Sequence, residues 1–279
     1  MSGVVAVYGG GGAKAAAHLG AERALREQGL APAGYVGCSL GAVVAAALAL
    51  GWEPAAVEQR MVELGRRRIA VVDPLIFLLG IKRRSLLKPS PLRAAFDALF
   101  GGARFSNMIR PLTVAVTDLD SGDLVLFGAH GKDAPLVDVL VATCALPLYF
   151  PPVIIGGRRY VDGGIRSVLP IESALLFAPD RVVAVDVGPG FDEAPATGGA
   201  TLPALIEINQ SSIGIAMAQG TLDRLEIWKL TPGRPPLTYV RPRVEKNATF
   251  ATDKLRAYAE EGYRATMVAI SQQPTARSG

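Results

Sequence analysis

Apolar and polar positions along this chain follow two periods, and the change from one to the other marks its elements. Val4-Val5-Ala6-Val7-Tyr8 is an unbroken apolar run of β-favouring residues, a pattern typical of a buried first strand, and Gly9-Gly10-Gly11-Gly12 ends it. From Ala13 to Gln28 the period is helical, with Leu19, Ala24 and Leu25 inward and Glu22, Arg23, Arg26 and Glu27 outward; Gly29 serves as C-cap. Tyr35-Val36 predicts a second short strand, and Gly37-Cys38-Ser39-Leu40-Gly41 turns it into the Ala-rich helix Ala42 to Leu50. Two βα units with tight glycine turns predict a parallel sheet covered by helices.

Trp52 to Arg68 reads as a further helix beginning near Pro54. Next, Ile69 to Ile81 is almost wholly apolar and lies between Arg66-Arg67-Arg68 and Lys82-Arg83-Arg84. Two readings of 66–84 stay open. One is a buried helix end with solvated basic flanks; the other is a peripheral membrane contact, its apolar face on lipid and its arginines on headgroups. Pro89 to Phe100 is amphipathic and closed by Gly101-Gly102. Leu112–Thr117 and Leu124–Phe127 read as paired strands about the Ser121-Gly122 turn, and Leu136 to Ala145 as a helix. Pro147, Pro151 and Pro152 force an irregular passage. A tight hairpin, Val153–Ile155 with Arg158–Val161, then delivers Asp162-Gly163-Gly164 at the end of its second strand. Arg181–Val187 is a buried-type strand, Gly188–Gly199 a loop, Leu202–Leu222 a long helix, Glu226–Leu230 a late strand and Phe250–Ile270 a final amphipathic helix. Neither a repeat nor a linker divides the chain, so 1–279 is expected to form a single domain.

Composition narrows the function class. Half of the 279 residues are hydrophobic and 19% are charged, a core-rich balance typical of enzymes. A net charge of +4 is too diffuse to argue for nucleic acid. Cys38 and Cys144 lie far apart and suggest neither a metal pair nor a disulfide scaffold, which fits a reducing cytoplasm. The N-terminus reads as a strand and not as a signal peptide. The longest uncharged apolar run, Leu40 to Trp52, falls short of the ~20 residues that span a bilayer, so the chain is expected to be cytoplasmic, or peripheral at a membrane.

In strand–turn–helix context, Gly-x-Ser-x-Gly reads as a nucleophile elbow that exposes Ser39 at a helix N-terminus; the competing reading is a glycine turn with an ordinary N-cap serine. A serine hydroxyl needs a base. Only two histidines exist: His130 sits in a polar turn and reads as a solvated loop residue, and His18 reads as a packed residue of the first helix. Neither completes the ordinary order of serine, acid and late histidine. A carboxylate does the same work once burial raises its pKa, and Asp162, followed by two glycines, is the candidate; a plain Asp-Gly turn is the competing reading. Gly9 to Gly12 expose N–H groups suited to an oxyanion hole. The dinucleotide fingerprint at Gly10, Gly12 and Ala15 fails, because no Asp or Glu occurs between Ala31 and Trp52 to hold a ribose. No Gly-Lys-Ser/Thr ending supports a phosphate-binding loop.

Three blocks together resemble the patatin-like phospholipases, serine acyl hydrolases with a Ser–Asp dyad. They are Gly9-Gly10-Gly11-Gly12-Ala13-Lys14-Ala15-Ala16-Ala17-His18-Leu19-Gly20, then Gly37-Cys38-Ser39-Leu40-Gly41, then Ala142-Thr143-Cys144-Ala145-Leu146-Pro147 through Phe150-Pro151-Pro152 to Asp162-Gly163-Gly164. Family members usually carry arginine and glycine where this chain has Lys14 and Ala15. The resemblance spans about 3–190, with 200–271 expected to pack on that core. It implies a three-layer α/β/α sandwich with a mainly parallel sheet, Ser39 as nucleophile, Asp162 as proton acceptor, and Gly10, Gly11 and Gly12 as oxyanion donors. An acyl ester or phospholipid is the implied substrate, with no metal and no cofactor. A membrane-associated binding or regulatory protein with a vestigial site is the alternative, and acyl transfer to an alcohol is a variant. Oligomeric state is left open.

Overall fold

Strand β1 (Val4–Tyr8) lies between two parallel neighbours, β2 (Gly34–Cys38) and β7 (Arg181–Val185). The computed structural model describes residues 3–66, 85–192, 204–245 and 252–272. Within these, β3 (Leu112–Asp118) extends the sheet parallel to β2, and β8 (Leu237–Val240) extends it parallel to β7. The hairpin β5 (Val153–Ile155) and β6 (Arg158–Asp162) adds antiparallel strands beyond β3, and β4 (Leu124–Gly128) also pairs with β3. The order is β5-β6-β3-β2-β1-β7-β8, a mixed and mainly parallel sheet.

Both faces are covered, which is why β1 and β2 read as unbroken apolar runs. The strand period of two splits them between two cores. Ala6 and Tyr8, with Tyr35, meet α1 (Ala17–Glu27), α2 (Leu40–Ala49), α4 (Pro89–Phe100) and α5 (Leu136–Thr143). Val5 and Val7, with Val36, meet the 3-10 turns Ile171–Phe177 and the C-terminal end of α7 (Ala204–Leu230). The result is the expected α/β/α sandwich. Between these elements, α3 (Pro54–Arg66) follows α2, and the single turn α6 (Gly164–Ser167) follows β6. The last helix, α8 (Leu255–Ser271), lies along α1, so close that a Cβ on Gly20 or Gly262 would strike the other helix's backbone.

Two expectations are corrected. Glu22 does not face outward: it is wholly buried and accepts hydrogen bonds from Tyr8 Oη (2.8 Å), Tyr35 Oη (3.0 Å) and Arg26 Nε (2.8 Å). The tyrosines of β1 and β2 reach α1 and make this carboxylate a link between helix and sheet. Glu226–Leu230 is not a strand but the end of α7, where Leu225 and Trp228, three residues apart, bury one helical face. The turn at Gly233 (φ 75°) and the prolines 235 and 236 delay the strand to Leu237–Val240. Segment 67–84, with the whole apolar run and all of its basic flanks but Arg66, lies outside the described residues, as does 193–199 of the expected loop. Among the described residues, no helix is long and apolar enough to cross a membrane.

Candidate active site

β2 ends at Cys38 and α2 begins at Leu40, so a single residue makes the reversal. That residue, Ser39, has φ 52° and ψ −136°, a left-handed backbone that costs a non-glycine residue on the order of 1–3 kcal/mol. Its neighbours permit the turn. A Cβ at Gly37 would collide with Ala42, and one at Gly41 with the carbonyl oxygens of Tyr8 and Gly9. The helix therefore starts hard against the sheet, with a half-buried Ser39 at its N-terminus.

Asp162, the last residue of β6, brings its carboxylate to this point. Ser39 Oγ donates to Asp162 Oδ2 at 2.8 Å, across 123 residues of sequence. The other oxygen accepts the Gly164 N–H (2.8 Å) and, at 3.8 Å, the Cys38 thiol. Among the described residues no cation pairs with Asp162. Burial pushes its carboxyl up to about 6; the hydrogen bonds from Gly164, Ser39 and Cys38 oppose that rise without cancelling it. Burial also drives the Cys38 and Cys144 thiols well up, so both stay protonated beside the carboxylate.

The glycine loop after β1 closes the other side. Gly10 N–H already donates to Val168 O (3.0 Å), and Gly9 N–H to Val185 O (3.1 Å). Among the described residues the N–H groups of Gly11 and Gly12 donate to no protein group. Two donors thus stand free where three were expected; Gly10 anchors the loop instead. His18 braces the loop from below. Its Nε2 lies 2.9 Å from Gly9 O, and since a carbonyl only accepts, Nε2 carries the proton. Its ring stacks on Tyr8 with centroids 4.7 Å apart. Burial lowers its pKa to about 4, which keeps it neutral. His18 is a packed histidine as expected, and His130 is exposed on its turn with its ring against Phe177.

Two buried hydroxyls complete the arrangement. Thr143, the last residue of α5, accepts the Ser39 N–H at 2.9 Å and donates to Ala115 O at 2.6 Å. Thr117 of β3 donates to Asp162 O at 2.9 Å. Thr143 lies in the third block of the family resemblance, which assigns it no role, and Thr117 gives no signal, since a threonine inside an apolar strand looks like ordinary β composition.

A cavity of about 370 Å³ opens over Ser39, Gly10–Gly12 and Asp162. Leu40, Val43, Val44 and Ala47 line it along one face of α2, with Leu92 and Phe96 of α4 opposite and Trp52 further along. No group of three or more His, Cys, Asp or Glu among the described residues is arranged to hold a metal.

Comparison with known proteins places the chain in a family. The chain is 28% identical over 233 residues to an uncharacterised NTE family protein of Mycobacterium tuberculosis, covering 79% of this chain and 60% of the relative. It is 26% identical over 187 residues to human patatin-like phospholipase domain-containing protein 6, covering 66% of this chain but 13% of that much longer protein. The match thus spans less than two thirds of either relative's length. The crystal structure of VipD from Legionella pneumophila shares the fold, with a TM-score of 0.50 at 18% identity over 97% of this chain and 66% of that one. The family model for patatin-like phospholipases matches residues 6–175, a stretch that contains the glycine loop, the elbow and Asp162. This chain belongs to the patatin-like phospholipase family.

Proposed function

We propose that the chain hydrolyses acyl esters of lipids, with Ser39 as nucleophile and Asp162 as its base. The observation that carries this reading is the 2.8 Å hydrogen bond from Ser39 Oγ to Asp162 Oδ2 at the head of an apolar cavity. A carboxyl near 6 is ionised at neutral pH yet basic enough to take a proton in the transition state. Asp162 accepts the Ser39 proton as Oγ attacks the ester carbonyl. The carbonyl oxygen becomes an oxyanion held by the Gly11 and Gly12 N–H groups at the start of the first helical turns. Asp162 returns the proton to the departing alcohol, leaving the acyl group on Ser39. Water then enters and gives a proton to Asp162 as its oxygen attacks the acyl carbon. Asp162 passes that proton back to Ser39 Oγ as the Oγ–acyl bond breaks and the fatty acid leaves. The apolar α2 face beside Ser39 suits an acyl chain.

The test is turnover of p-nitrophenyl esters of increasing chain length. Each methylene that finds room in the cavity should raise kcat/KM roughly fourfold, the ~0.8 kcal/mol of a buried CH₂. Ala47→Phe should cut hydrolysis of the longer esters while sparing the acetate. A profile indifferent to chain length contradicts the lipid reading. No turnover of any ester would favour a binding protein with a vestigial site.

A further inference from the structure

The dyad spans three strands. Ser39 follows β2, Asp162 ends β6, and β3 runs between them, paired to both. The last rung of the β2–β3 ladder is Cys38 with Ala115, and that of β3–β6 is Val116 with Asp162. Both functional residues therefore sit where regular pairing stops, one in a left-handed backbone and the other before two glycines. Ser39 lies one residue beyond its ladder, whereas Asp162 is the last rung of its own, with its N–H donating to Ala145 O at 3.0 Å.

We propose that Thr143 and Thr117 are positioning residues that fix the Ser39–Asp162 distance by tying each partner to β3. This inference rests on the dyad reading of the site. The Ser39 N–H, the next donor after the ladder ends, reaches β3 only through the Thr143 hydroxyl, which relays the bond to Ala115 O. The Thr117 hydroxyl, on β3 itself, holds the Asp162 carbonyl and lies 3.4 Å from the Gly163 carbonyl as well. Both side chains are buried, at 0% and 4% exposure, so water does not replace them. A β-branched side chain has few χ1 wells, which makes each hydroxyl a rigid spacer. The tie from Thr143 also consumes the nucleophile's own N–H. Oxyanion binding is thereby left to the glycine loop, where the Gly11 and Gly12 N–H groups donate to no protein group among the described residues.

The experiment compares Thr143→Val, Thr143→Ser, Thr117→Val, Thr117→Ser and the double valine variant, in the full chain. Valine keeps the shape but strands the buried Ser39 donor, so Thr143→Val should lower kcat about 10- to 100-fold with KM within about twofold. Thr117→Val should lower it about tenfold. Serine should restore each to within about threefold of wild type. In the double variant the two losses should combine less than multiplicatively, because both act on one distance. A purely structural role would lower stability in the serine and valine variants alike and leave kcat per folded molecule unchanged. An activity-independent reading comes from NMR: amide exchange at Ser39 should quicken at least about tenfold in Thr143→Val and stay near wild type in Thr143→Ser. Unchanged exchange, or a serine variant as impaired as valine, overturns the proposal. Wild type that labels at no serine and cleaves no ester overturns the dyad reading instead, and the exchange result still decides the threonine tie.

Discussion

Glu22 and Asp162 are both carboxylates removed from water, one on a helix and the other at the end of a strand. Glu22 accepts two tyrosine hydroxyls and the Arg26 guanidinium, so its charge is met by a cation and its lone pairs are filled. Asp162 accepts one backbone N–H, one serine hydroxyl and one weak thiol donor, and among the described residues no cation faces it. The first arrangement holds α1 to the sheet. The second leaves a carboxylate under-compensated, and its pKa rises to about 6. A buried acid supplied with a cation is a structural tie; one denied a cation is poised to take a proton.

The sharpest way to break this comparison is Asp162→Asn. Turnover should fall at least about 10⁴-fold, as for other members of catalytic dyads and triads. The same change should stabilise the fold at alkaline pH. A carboxyl whose folded pKa lies near 6, above the unfolded value, adds stability below about pH 4 and loses it as pH rises through 6. At pH 8 that loss is on the order of 2–3 kcal/mol, and the asparagine variant escapes it. Thermal unfolding of the two proteins at pH 8 and pH 4 should show the variant's advantage shrink on acidification. A variant less stable than wild type at pH 8 contradicts the comparison.

Glu22→Gln is the mirror experiment. Removing the charge opposite Arg26 in a closed network should cost about 3 kcal/mol in denaturant unfolding. Activity per folded molecule should stay within about twofold, since Glu22 touches no reacting group. A large loss of kcat with intact stability would place Glu22 in the chemistry.

The smallest effect is a matter of curve shape. kcat/KM should fall on the acid side with an apparent pKa near 6, tenfold per pH unit below it, because protonated Asp162 accepts nothing from Ser39. An acid limb near 4 would mean that burial does not raise this carboxyl.

Most of the candidate site's frame is legible in the residues themselves, because it rests on local rules. Glycine brackets around Ser39, the terminal Gly29, and the hairpin that ends in Asp162 are each set by backbone geometry within a few residues. Tertiary contacts decided what local pattern left open. Glu22 carries the periodicity of an exposed position, and its burial is made tolerable by Arg26 together with Tyr8 and Tyr35, 14 and 13 residues away. Ile227, Trp228 and Leu230 have strand-like composition, yet they continue a helix because Trp228 packs on the second core. Among the glycines, the sequence does not distinguish Gly10, bound to Val168, from Gly11 and Gly12, whose N–H groups have no acceptor among the described residues. The threonines were invisible for the same reason: their partners lie 28 to 104 residues away.

The central claim, that Ser39 is a nucleophile driven by Asp162, is tested most directly by covalent labelling with a fluorophosphonate at pH 8, located by peptide mass spectrometry. The account predicts one adduct per chain, on the peptide carrying Ser39, and labelling slowed at least about a hundredfold in Asp162→Asn. An adduct on any other residue, or an asparagine variant that labels at the wild-type rate, would contradict it.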